Sequence, residues 1–188
     1  MIYILGPNDA PPSGILTIDT TSKSGTYGRQ LSPFLLGPVV LYDNHTSVTM
    51  ENAWQYSKVY DIHTDDENNP SSEYWKWATA GWSSYRAKRY PMGKGVTPLY
   101  SYWDGERLGY IEARKKIYIP LYVQAVTKTL EFKILQKKAA RDSIALWDYD
   151  GYRHDLLKMS LNDVVHNPDR KMGHAFVLKM LLTGVIDY

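Results

Sequence analysis

The stretch TMENAWQYSKVY, residues 49–60, sets Glu51, Gln55 and Lys58 at i, i+4 and i+7, with Trp54 beside them. On a helix this spacing follows one face, and seven residues rise about 10.5 Å. Helical side chains lean toward the N-terminus, so the Lys58 amine approaches the Glu51 carboxyl. An acid and an amine sharing a pocket can move protons and stabilise charge developing on a ligand. The same spacing also fits an exposed Glu/Lys pair with Gln55 as solvated filler.

Other residues carry a similar choice. Trp54 either stacks on a flat ligand or anchors its helix in the core. Asp148 and Asp150 follow an apolar run, where side chains emerge into a site, and Asp150-Gly151 equally fits a plain turn. Arg86, Lys88 and Arg89, ahead of YPMGKG, either bind phosphate or form a solvated basic loop. The GKG triplet lacks the length and the following Ser/Thr of a P-loop.

The elements that must position these residues are read from periodicity and punctuation. Thr49 is a plausible N-cap for a helix running to about Tyr60, with Glu51 in its first turn. Ser71 or Ser72 caps a Trp-rich helix through about Tyr85, and RYPMGKGVTPLYSYWDG reads as a long loop, a candidate lid. Helix is expected from Arg107 to about Val126, with Pro120 kinking it or starting a new one, then over TKTLEFKILQKKAARD. IYIL, ILTID, GPVVLY and SIALW read as strands, and a last helix spans about Arg170 to Leu182, ending near Gly184. The expected fold class is α+β, a mostly helical single domain over residues 1–188 with a few short strands.

Composition bounds the function. A chain of 188 residues buries a core without disulfides, and it contains no cysteine. The five histidines include no pair at helical ligand spacing, so no metal is expected. The start shows no cationic leader, and no run of about twenty apolar residues occurs, so a cytoplasmic protein without a membrane partner is expected. A net charge of +2 does not by itself imply nucleic-acid binding. The 16 Tyr and 6 Trp against 3 Phe give most large rings a polar handle, suited to a core with hydrogen-bonding tips or to stacking walls.

Read together, YGRQLSPFLLGPVVLYDNHTSVTMENAWQYSKVY resembles the opening of the NADAR family, an FSNF-like segment, a short strand and turn, then an EHyfQaqKf-like helix. Leu31, Ser32 and Phe34 occupy the first motif; Glu51, Trp54, Gln55, Lys58 and Tyr60 follow the spacing of the second. WDYDGYR, with Asp148, Asp150 and Gly151, is similar to the family's D-x-x-W-G turn, and MGHAFVLKMLL to its closing LGkaLM helix. Pro33 stands where the family has Asn, Asn52 where it has His, and the Trp-Gly pair is altered.

The resemblance implies a NADAR-like fold with residues 1–24 as an N-terminal extension packed on it. It implies hydrolysis of a C1′–N glycosidic bond in a nucleotide-derived riboside, with removal of ADP-ribose from a modified guanine as one form. No cofactor is expected. Glu51 would serve in acid/base work and Lys58 as a nucleophile forming a Schiff base, or instead as a cationic ligand. Substrate contacts would come from Ser32, Phe34, Trp54, Gln55, Arg86, Asp148 and Asp150. The partner would be a small riboside, an ADP-ribosylated base, or a nucleic acid carrying that base. The alternative is a non-catalytic module that sequesters a nucleotide or an ADP-ribose-like ligand.

Overall fold

SIALW forms a strand because its apolar run suits a position with neighbours on both sides. In the computed structural model, which describes residues 1–185, this strand is Ile144–Trp147 and lies between two others. The flanking strands are β1 (Ile2–Leu5) and β2 (Leu16–Asp19); all three run parallel, in the order β1, Ile144–Trp147, β2. Residues 1–24 are therefore not an extension laid on the domain. They supply two of the three strands of its parallel sheet.

Two smaller sheets follow. β3 (Val39–Val40) and β4 (Thr46–Ser47) form a hairpin whose tip holds Asp43 and Asn44 at φ 49° and 60°. β5 (Lys58–Val59), β6 (Tyr100–Trp103) and β7 (Glu106–Leu108) form an antiparallel sheet. The Asp104-Gly105 turn, with φ 47° and 83°, joins β6 to β7, so the expected loop and helix start at 100–108 are a hairpin instead.

The helices are α1 (Met50–Gln55), α2 (Ser72–Trp82), α3 (Tyr110–Ala113), α4 (Ile119–Val126), α5 (Leu130–Arg141), α6 (Leu161–His166) and α7 (His174–Thr183). The strand Ile144–Trp147 is β8. Thr49 and Ser71 cap α1 and α2 through their side chains, and Gly184 ends α7 at φ 70°. Pro120 sits in the first turn of α4, where no backbone donor is needed, and one π-helical turn over Arg114–Tyr118 joins α4 to α3. The fold is α+β, a single domain in which helix exceeds strand. Among the described residues, no helix is long and apolar enough to cross a membrane.

α1 is shorter than the spacing alone predicts. It ends at Gln55, and Lys58 stands on β5. Ser57 Oγ donates to the Trp54 carbonyl at 2.9 Å, and the Tyr102 amide donates to the Ser57 carbonyl at 2.8 Å. Cross-strand pairing with β6 thus draws residues 57–59 out of a helix too short to persist alone. The Tyr56 ring then packs on Gly81 of α2, where an added Cβ would lie 2.0 Å from Tyr56 Cδ1.

Candidate functional site

The carboxyl ends of β2 and β8 point the same way, and a cavity of about 540 Å³ opens beyond them. Crevices at the ends of parallel strands are common ligand sites because chain segments leave the sheet there in several directions. Thr21–Lys23 leave β2, Asp148–Asp150 leave β8, and Gly173 with His174 begin α7. Opposite them lie Glu51, Trp54 and Gln55 of α1 with Lys58 of β5. Arg114 and Tyr118 of the π turn complete one wall.

The acid and the amine do not touch as an ion pair. Gln55 Nε2 donates to Glu51 Oε1 at 2.9 Å, and Lys58 Nζ donates to Gln55 Oε1 at 2.7 Å. The amide can face both because its two ends have opposite hydrogen-bonding roles. Gln55 is 7 % exposed, which removes the reading of it as solvated filler. Lys58 Nζ also lies 4.8 Å from the Trp54 ring centroid, and Trp54 meets Tyr118 edge-on at 5.3 Å.

Burial shifts both groups toward neutrality. The Glu51 carboxyl is raised to about 6 by burial, against the lowering effects of the Gln55 hydrogen bond and the Lys58, Arg89 and His174 charges. The Lys58 amine is lowered to about 8, again chiefly by burial, with Lys171 and Arg89 adding to the fall and Glu51 opposing it. A carboxyl and an amine flanking neutrality suit proton transfer and nucleophilic attack.

Asp148 is buried, and its Oδ2 accepts from the Ala175 amide at 3.2 Å and pairs with His174 Nδ1 at 3.0 Å. Burial alone would raise its pKa, but the His174 charge, its hydrogen bond and the Ala175 and Asp150 amides outweigh burial and lower it. Asp150 is part-exposed and binds Arg89 Nη2 at 2.5 Å.

The expected site residues Ser32, Phe34, Glu51, Trp54, Gln55, Lys58, Asp148 and Asp150 all line this cavity. Arg86 does not. It is exposed, and its backbone carbonyl accepts from the Asn52 side chain while its neighbour Arg89 reaches the cavity. Asn52 is wholly buried; its Nδ2 donates to the Ser84 and Arg86 carbonyls, both at 3.1 Å, and its Oδ1 accepts from the Lys88 amide at 2.9 Å. These bonds fix the root of the 83–99 loop and aim Arg89 rather than Arg86 inward.

Sequence reasoning missed His174, Tyr118 and Lys171, and it ranked Arg89 no higher than its basic neighbours. The Gly173-His174 pair at a helix start was the signal available for one of them. Tyr118 lies inside the expected 107–126 helix, and nothing in its own type or spacing marked it for the cavity. Among the described residues, no group of three or more His, Asp or Glu side chains could hold a metal ion.

A family model matches residues 9–178, which includes every segment lining the cavity. The chain belongs to DUF6939, a family of unknown function. No curated protein matches it. The match to DUF6939 gives the extent of a shared domain, residues 9–178, and no activity.

Proposed function

We propose that this DUF6939 chain is an N-glycosidase that hydrolyses the C1′–N bond of a nucleotide-derived riboside, with ADP-ribose on a guanine base as the substrate to test first. The observation that carries this reading is the Glu51–Gln55–Lys58 chain of hydrogen bonds in a cavity walled by aromatic rings. The resemblance of the same residues to NADAR motifs supports it.

Cleaving a C1′–N bond places positive charge on the sugar and an electron pair on the departing base. The Glu51 carboxylate offsets the first, and a proton delivered to the base accommodates the second. In this reading the neutral Lys58 amine bonds to C1′ as the base leaves with the C1′–N electron pair. The surplus amine proton passes through Glu51 to the base. Opening of the sugar ring gives an imine, and one water hydrolyses it to free sugar and free amine. Phe34, Trp54, Tyr110 and Tyr118 offer faces and edges for a planar base.

Charge balance favours an anionic substrate. Glu51, Asp148 and Asp150 are matched by Lys58, His174 and Arg89, while Lys23, Lys171 and Arg114 add positive charge around the same cavity. Arg114 is held by the Val164, Val165, Asn167 and Arg170 carbonyls, so its charge is fixed in place. A phosphate-bearing riboside meets that balance better than a neutral one.

The test is mass spectrometry after incubation with ADP-ribosyl-guanosine, free and within a short oligonucleotide, with borohydride added to a parallel sample. The expected result is release of the guanine-containing product and a sugar-mass adduct on Lys58. Release without an adduct would keep the glycosidase and remove the imine. Intact ligand recovered from denatured protein would replace catalysis with sequestration.

A further inference from the structure

His174 lies at the meeting point of three chain segments that line the cavity, and its ring leaves little freedom in how it is protonated. Nε2 is 2.9 Å from the Thr20 carbonyl oxygen, and Nδ1 is 3.0 Å from Asp148 Oδ2. A carbonyl only accepts, so Nε2 carries hydrogen. Asp148 also receives the Ala175 amide through Oδ2 and the Asp150 amide through Oδ1, and both contacts favour its carboxylate form. A carboxylate likewise only accepts, so Nδ1 carries hydrogen as well. The ring is then an imidazolium with both donors used.

Its neighbours hold this arrangement. Thr20 Oγ1 donates to the Trp147 carbonyl at 2.9 Å, tying the end of β2 to the end of β8 beside the His174 contact. Gly173 leaves no room for a side chain, since a Cβ there would lie 2.0 Å from Asp148 Oδ2. Tyr122 packs its ring 5.6 Å from the imidazole, and His174 is 5 % exposed. With both nitrogens committed, His174 cannot pass a proton to a ligand while this network stands. It can supply a fixed charge.

We propose that His174 is a positioning residue, a permanent imidazolium that joins the β2, β8 and α7 segments of the cavity and fixes a positive charge against Asp148 on its wall. The charged groups acting on Glu51 come from every side of the site: Lys58 on β5, Arg89 on the 83–99 loop and His174 on α7, with Gln55 donating from its own helix. His174 differs from the others in being buried and bound at both nitrogens. Lys58 changes charge near neutrality, and Arg89 is shared with part-exposed Asp150.

The experiment is NMR on the full chain labelled with ¹⁵N-histidine and ¹³C-glutamate, titrated from pH 5 to 8.5, with His174→Gln alongside. Both His174 ring nitrogens should stay protonated throughout in the native protein. The Glu51 carboxyl midpoint should rise in the variant, since a positive charge that lowers it is removed. One unprotonated ring nitrogen at neutral pH would overturn the proposal, even if His174→Gln failed to fold. Two protonated nitrogens with an unmoved Glu51 midpoint would overturn it too. Neither readout needs turnover, so failure of the glycosidase reading leaves the test of His174 intact.

Discussion

Glu51 burdens the fold in the carboxylate state that the proposed chemistry needs, and Lys58 burdens it in the ammonium state that must give up a proton before attack. The folded pKa of Glu51 lies above its unfolded value, so its contribution to stability is fully present below about pH 4.5 and is lost as pH rises through about 6. That of Lys58 lies below its unfolded value, so its contribution is present above about pH 10.5 and is lost as pH falls through about 8. Between pH 6 and 8 both groups are mainly charged, at a cost of about 2 kcal/mol for Glu51 and about 3 kcal/mol for Lys58. Glu51→Gln and Lys58→Met should each raise stability at pH 7 by about 1–2 kcal/mol in urea unfolding, while Glu51→Gln lowers turnover by about 10²–10⁴. A loss of stability in both would mean that the pair is there for structure. The rate should climb through about pH 6 as Glu51 ionises and again through about pH 8 as Lys58 becomes neutral. Lys58→Arg keeps a cation that cannot form an imine, so it should lose the borohydride-trapped adduct and the upper step of that profile.

At the scale of elements, α1 does two jobs with adjacent residues. Glu51 faces the cavity, while Asn52 turns into the protein and holds the 83–99 loop by three hydrogen bonds. Asn52→Ala would leave the Ser84 and Arg86 carbonyls and the Lys88 amide without this partner. We expect a stability loss of about 2–4 kcal/mol in urea unfolding. Because the loop carries Arg89 and Tyr90 to the cavity, KM should rise more than kcat falls. An unchanged KM alongside the stability loss would separate the loop from substrate binding. The π turn that bridges α3 and α4 ahead of Pro120 carries Arg114 and Tyr118, and both line the cavity.

For the whole molecule, the parallel sheet decides which residues are dispensable. β8 pairs with β1 on one side and β2 on the other, so both of its edges depend on the first 19 residues. Removing residues 1–19 would expose the backbone of an apolar strand on both sides and release Ile2, Ile4 and Ile18 from the core. The truncated chain should lose its cooperative melting transition and its dispersed amide spectrum. Retention of both would return residues 1–24 to the status of an extension. The same sheet carries the His174–Asp148 pair at its carboxyl end, so the site and the core share one foundation.

The sequence by itself determined what depends on near neighbours. Thr49 and Ser71 could be read as caps, SIALW as a buried strand and Gly184 as a helix end, because each signal lies within a few residues of its effect. The α+β class follows from their sum, and the Glu51, Gln55 and Lys58 side chains do gather in one cavity. The tertiary structure alone decided how they gather. Pairing with β6, more than 40 residues away in sequence, moved Lys58 from helix to strand and left Gln55 as the link between acid and amine. Hydrogen bonds from Asn52 chose Arg89 over Arg86, and the meeting of β2, β8 and α7 gave His174 its two acceptors. Local propensity reaches a turn or two along the chain, whereas these contacts join segments that only the packed core brings together.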